Sequence, residues 1–169
     1  TKHIHSEDKS NRSIFGDGAA AIIISASEME KILEFELGTD GQGMNNLIIP
    51  NGGMRNKFNP SELDIRDDAN NVRNNNCIYM NGPEIFNFNI DRIPPLVTST
   101  LQKNGLTVDT VDYVIFHQAN KYMLDYLKKK MKIPPEKFYQ EMEHTGNTVS
   151  ATIPIALKDS LDRGFIKKG

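Results

Sequence analysis

The sequence predicts an α/β fold, a sheet layered with helices, and three observations predict it. Short β-branched or alternating apolar runs fill the stretch from Ala19 to Leu37. Helical and strand-like periods then alternate from Pro83 to Gly164. Between these two stretches, from Gly38 to Asn81, the composition shifts to Gly, Asn, Asp and Pro with little periodicity, which separates a β-like part from an alternating part.

The elements follow in order. Ala19 to Ser25 passes from small to β-branched residues, and Leu33, Phe35 and Leu37 alternate with charged neighbours, so each stretch predicts a strand. Gly16-Asp17-Gly18 permits a tight turn or a close backbone approach, and the turn is the simpler reading. From Gly38 to Asn81 the composition shifts to Gly, Asn, Asp and Pro, which predicts one long loop, a kind that is functional or disordered more often than filler. Pro83 suits a helix start, and Ile85 to Leu101 continue the helix across Pro94-Pro95, where a kink is expected. Asn104-Gly105 is its stop signal. Tyr113 to Phe116 reads as a buried strand ending at His117. An amphipathic helix follows, with Tyr122, Met123, Tyr126 and Leu127 on one side and lysines on the other, closed by Pro134-Pro135. Phe138-Tyr139-Gln140 predicts a short strand, Gly146-Asn147 a turn, and Val149 to Arg163 a helix capped by Gly164.

Composition excludes several classes of function. The net charge of −2 over 169 residues argues against bulk binding of nucleic acid, which rests on an excess of Lys and Arg. Ala19 to Ile24 is the longest clean apolar run, far short of the roughly 20 residues that span a bilayer. One cysteine, Cys77, cannot form an internal disulfide and fits a reducing cytoplasm. With 169 residues and no targeting segment at its start, one soluble domain or a large piece of one is expected, and an apolar share of 38%, low for a free-standing domain, suits the piece. His3 and His5 with Glu7 and Asp8 lack a third ligand at recognisable spacing, so no metal site is expected.

Active sites in open α/β sheets gather at the carboxyl ends of strands, where His117 and Asn147 fall thirty positions apart. Alone, His117 reads as a satisfied core or turn histidine more readily than as a catalyst, and Asn147 as ordinary turn or helix-cap chemistry. Their surroundings are more specific. Val114-Ile115-Phe116-His117-Gln118-Ala119-Asn120 and Gly146-Asn147-Thr148 resemble the HQAN and GNT segments of the ketoacyl-ACP synthase III family, in that family's order and separation. Phe15-Gly16-Asp17-Gly18-Ala19 is similar to its FGDGA strand entry, and Met80-Asn81-Gly82-Pro83-Glu84-Ile85-Phe86 to its MxGxxVF segment. Several spaced motifs in order are more specific than any one of them.

The resemblance implies a thiolase-like layered fold, of which this chain is the C-terminal half, incomplete at both ends. Residues 1–26 would be the last strand region of the first half, and 27–169 a C-terminal domain ending before the family's final glycine-rich strand. It further implies a condensing enzyme that moves an acyl group from a CoA thioester to a cysteine in the first half, then joins it to the carbanion from malonyl-ACP. His117 and Asn147 would be the catalytic donors of the second half; Met80, Gly82 and Phe86 would line the acyl and pantetheine channel, and Asn120 would touch pantetheine. Cys77 sits in the Asn-rich loop and is not the expected nucleophile. Acyl carrier protein is the implied partner, homodimerisation is implied for the intact protein, and no cofactor is needed beyond the acyl-CoA and malonyl-ACP substrates. Two departures stand out. Tyr122 replaces the arginine used to dock the carrier, leaving Lys121 or Lys128 to Lys130 as substitutes, and Val149-Ser150-Ala151-Thr152 replaces the usual Ser-Ala-Ala-Ser. A related enzyme of specialised acyl metabolism and a non-catalytic partner subunit are the alternatives; a self-sufficient hydrolase would need a G-x-S-x-G serine that the sequence does not contain.

Overall fold

The structure, a computed structural model, describes residues 2–167, which divide into two units. The first takes the residues up to Phe15 with Thr39–Asn89, and the second takes Gly16–Gly38 with the residues from Ile90 onward.

Polar local chemistry shapes the first unit. Helix α1 (Lys9–Arg12) is one turn, N-capped by Asp8, whose carboxylate accepts the Asn11 backbone N–H at 3.1 Å. A 3₁₀ turn at Gly41–Asn46 leads into four two-residue strands, β1 (Leu47–Ile48), β2 (Ile65–Arg66), β3 (Val72–Arg73) and β4 (Tyr79–Met80). β1 pairs antiparallel with β4, and β2 with β3. The predicted loop is therefore a loop clipped by two short ladders. Its asparagines supply the bonds a longer ladder would have made: the Glu62 carboxylate accepts from the side-chain amides of Asn51, Asn59 and Asn75 at 3.0, 2.9 and 2.6 Å. Asn76 adds a two-way clasp, donating to the Asn59 carbonyl at 2.7 Å and accepting from the Asn59 N–H at 3.1 Å. Asparagine side chains compete with regular backbone pairing by offering such bonds locally.

Helix α2 (Gly82–Lys103) begins with Pro83 in its first turn and runs unbroken through Pro94 and Pro95; its residues from Ile90 count with the second unit. It ends as its Asn104-Gly105 signal predicts: Gly105 has φ +63°, and the Leu106 and Gly105 N–H groups return to Leu101 and Gln102 at 2.9 and 3.1 Å. Helices α3 (Lys121–Lys130) and α4 (Thr152–Asp162) close the same way, with Lys132 at φ +54° and Gly164 at φ +72° in the left-handed position. The two strands predicted around Val114 and Phe138 contract to one parallel bridge between those residues, so the pairing of the described residues is mixed.

That bridge organises the core. Leu124, Ile133 and Phe138 are buried together, with Val114, Phe116 and Met142 packed against them. Phe116 meets Phe138 edge-on at 5.5 Å between centroids, a favoured aromatic geometry. Fully burying each such side chain contributes about 1.5–3 kcal/mol.

The strands expected at 19–25 and 33–37 carry no ladder among the described residues, and Ile23 and Leu37 are 93% and 81% exposed. Alternation describes a strand's faces but not its partner, and no described segment offers these residues a backbone to pair with. One residue is bracketed by a side chain instead: Asn104 accepts from the Glu34 N–H at 3.0 Å and donates to the Glu34 carbonyl at 2.7 Å.

Candidate active site

His117 emerges where the parallel bridge ends. Phe116 stays in the core while His117 is exposed at the rim. Its next neighbours hold it there. Gln118, only 3% exposed, donates to the Phe116 carbonyl at 2.8 Å and accepts from the Glu141 N–H at 3.3 Å. Asn120 N-caps α3, its side-chain oxygen accepting the Met123 N–H at 2.9 Å. That cap is a structural duty the sequence reading did not assign, and it leaves the amide NH2 as the group Asn120 can offer a ligand.

The His117 ring is bonded through Nδ1 to the Thr152 hydroxyl at 2.6 Å. Protein on that side desolvates the ring and lowers its pKa, partly offset by the Val149 carbonyl, so the neutral imidazole is favoured at pH 7. Thr152 reaches it because α4 is tied down nearby, the Tyr139 hydroxyl donating to Asp159 at 2.9 Å. Burial and that carboxylate push the Tyr139 hydroxyl far up, so it remains a donor at every working pH.

Asn147 is 7% exposed. Its side-chain oxygen accepts the Val149 N–H at 2.9 Å, and because a backbone N–H can only donate, the orientation of the amide is fixed and its NH2 is presented elsewhere. The expected helix cap is not made: α4 starts at Thr152, five residues on, and Asn147 closes a local turn instead. Two glycines press on this turn. Gly16 donates to the Asn147 carbonyl at 3.0 Å, and a Cβ on Gly16 would stand 1.9 Å from the Thr145 carbonyl oxygen. One on Gly18 would stand 2.8 Å from the Thr148 methyl carbon. Close approach, not the favoured tight turn, is therefore what the glycines of the 15–19 motif supply, and neither has positive φ.

Val149 itself has φ +55°, a left-handed conformation that a β-branched residue adopts only when its surroundings force it, at a cost of about 1–3 kcal/mol. The surroundings are visible: its N–H goes to Asn147, and its carbonyl accepts from the Thr152 hydroxyl at 2.9 Å. A continuous path of bonds thus runs from His117 through Thr152 and Val149 to Asn147. Thr152 is the residue the sequence reading missed as a partner; its only signal was a hydroxyl at the first turn of the helix after the GNT segment.

The remaining expected site residues lie in the first unit or at its helix start. Met80 is half-buried on β4, Gly82 opens α2 with open space where a Cβ would go, and Phe86 is half-buried one turn later. Cys77 is half-buried in the Asn-rich loop, where burial, helped by the charges of Asp64 and Asp8 and only partly opposed by a bond to the Asn74 backbone, raises its thiol pKa. That is the reverse of what a nucleophile needs. Tyr122 is 71% exposed, and Lys128 is engaged by Asp125 at 3.1 Å and Gln140 at 2.9 Å. Among the described residues no group of three or more His, Cys, Asp or Glu is placed to hold a metal ion, and no helix is long and apolar enough to cross a membrane.

Known proteins resemble this chain in sequence and in fold. The family model described as 3-oxoacyl-[acyl-carrier-protein] synthase III C terminal matches residues 101–169, and that of 3-oxoacyl-[acyl-carrier-protein] synthase III matches residues 1–41. Beta-ketoacyl-[acyl-carrier-protein] synthase III of Trichodesmium erythraeum is 34% identical over 164 residues, covering 96% of this chain and 48% of that protein. The Fusobacterium nucleatum protein of the same name is 36% identical over 168 residues, with 96% and 48% covered. A 2.1 Å crystal structure of a 3-oxoacyl-(acyl-carrier-protein) synthase III superposes with a TM-score of 0.91 at 42% identity, covering 99% of this chain and 51% of that one. The Thermus thermophilus enzyme gives 0.79 at 30% identity, with 99% and 49% covered. The chain spans about half the length of the curated relatives it matches. Their fold is thiolase-like, as the sequence motifs imply.

Proposed function

Because the chain belongs to the 3-oxoacyl-[acyl-carrier-protein] synthase III family, we propose that the intact protein is an acyltransferase of fatty acid biosynthesis, condensing an acyl group from acyl-CoA with malonyl-ACP. Residues 1–26 are read as the closing strand region of a first half and 27–169 as a C-terminal domain, with the nucleophile a cysteine other than Cys77. Loss of CO2 from malonyl-ACP leaves the electron pair of the broken C–C bond on a thioester enolate. The enolate carbon attacks the acyl-cysteine carbonyl and the cysteine thiolate departs.

The observation that carries the reading is the bonded path joining His117 to Asn147. The chemistry needs two neutral donors at the enolate oxygen, and a desolvated neutral imidazole and an oriented carboxamide NH2 meet that need without titrating at pH 7. Each is worth about 3–4 kcal/mol of transition-state stabilisation by the oxyanion-hole precedent. Met80, Gly82 and Phe86 are assigned to the acyl and pantetheine channel, and the Asn120 NH2 to pantetheine. Acyl carrier protein and CoA thioester are the partners, docked with help from exposed Lys121 and Lys129 since Tyr122 offers no cation. The protein is read as a cytoplasmic homodimer that needs no cofactor.

His117→Ala in the intact protein is expected to slow malonyl-ACP decarboxylation by roughly 10²–10³-fold with an unchanged circular dichroism spectrum. Unchanged decarboxylation removes His117 from the assigned role. A second reading, a condensing enzyme of specialised acyl metabolism, draws on Tyr122 and Val149; profiling acyl-CoA donors of different length separates the two.

A further inference from the structure

One buried hydroxyl is bonded to the imidazole and has no part in the condensation chemistry described. Thr152 is 3% exposed, so water does not compete for its single proton. Two acceptors do: His117 Nδ1 at 2.6 Å and the Val149 carbonyl at 2.9 Å. The carbonyl already receives the backbone N–H of Thr152, so it stays bonded if the hydroxyl proton turns away. Among the described residues Nδ1 has no such second donor.

Resting on the donor role assigned to His117, we propose that Thr152 is a positioning residue whose hydroxyl donates to His117 Nδ1 and so fixes the neutral ring with its proton on Nε2. In that tautomer Nε2 presents an N–H to the substrate oxygen. In the opposite arrangement Nδ1–H donates to Thr152, the Thr152 hydroxyl donates to Val149, and Nε2 carries a bare lone pair that repels an enolate. The same imidazole is a donor or a mismatch according to where one hydroxyl proton points.

The test is ¹⁵N NMR of the ring nitrogens of His117 in the intact, histidine-labelled protein at a pH where the ring is neutral, alongside decarboxylation rates. The unsubstituted protein is expected to show a protonated Nε2 and a bare Nδ1. Thr152→Val, nearly the same shape, is expected to lose that preference and to slow decarboxylation by roughly 10²-fold, the effect of losing one preorganised donor. Thr152→Ser is expected to restore both. A protonated Nδ1 in the unsubstituted protein, or an unchanged tautomer in Thr152→Val, overturns the proposal. The spectrum of the unsubstituted protein decides the tautomer even if Thr152→Val does not fold, and it does so whether or not His117→Ala affects decarboxylation.

Discussion

The unit built around Leu124, Ile133 and Phe138 is held by hydrocarbon, whereas the unit containing Asp8, Asn11 and Asn71 buries polar groups, with Val72 its one buried apolar residue among those described. The first kind of interior is sensitive to volume, because a truncated side chain leaves a cavity behind. The second is sensitive to its partners, because a buried amide or carboxylate stabilises only while each partner stays in place. His117 and Asn147 both belong to the apolar unit, which suits donors that must hold position while charge develops between them.

The contrast can be broken most sharply by volume. Leu124→Ala is expected to cost about 2–5 kcal/mol in denaturant unfolding, by lost burial and the cavity left behind, and to raise hydrogen exchange across the apolar unit. Asp8→Ala, its counterpart, strands the Asn11 N–H and amide and is expected to cost about 1–3 kcal/mol, with exchange rising in the other unit instead. If both substitutions loosen both units equally, the two interiors are one cooperative system.

Acid sharpens the same comparison, in two windows. Burial lowers the folded pKa of His117 below 6.5, so the unfolded chain binds the proton first; the stability it contributes is full above 6.5 and is lost as pH falls through the lower folded value. Asp8 is also lowered: burial opposes ionisation, but the bonds from Asn11 and Ser10, with Arg73 nearby, outweigh it. The Asn71 backbone, and the Asn71 and Arg73 side chains, outweigh burial at Asp67 in the same way. Both carboxylates contribute fully above their ordinary value of 3.8 and lose that contribution as pH falls through their lower folded values. Residue-resolved exchange is therefore expected to rise around His117 below pH 6.5 and in the amide-held unit only below 3.8. The reverse order sinks the assignment.

The smallest effect concerns the three helix ends that share one motif. Two place glycine at the left-handed position and α3 places Lys132 there. Lys132→Gly is expected to raise stability by about 1 kcal/mol in thermal unfolding, since only the lysine strains that backbone.

Those helix ends also mark what the sequence makes legible. Asn104-Gly105 and Gly164 act within a few residues, so their turn chemistry reads directly, as does the start of α2. Features that depend on a distant segment do not. The alternation at Leu33, Phe35 and Leu37 describes a strand's faces without naming a partner, and Gly16 shows its purpose only against the Thr145 carbonyl far along the chain. At the site, the motifs single out His117 and Asn147, but the Thr152 hydroxyl that touches the imidazole stands 35 positions away, where a 3₁₀ turn at Val149–Ala151 passes into α4.

The backbone at Val149 carries a warning for anyone selecting sturdier variants. Glycine or asparagine there would relax a contorted residue, so a thermostability screen should enrich both. Such winners deserve suspicion at the bench: the contortion is what keeps a carbonyl facing one side chain and an amide facing another, and a relaxed link would let the two drift out of step.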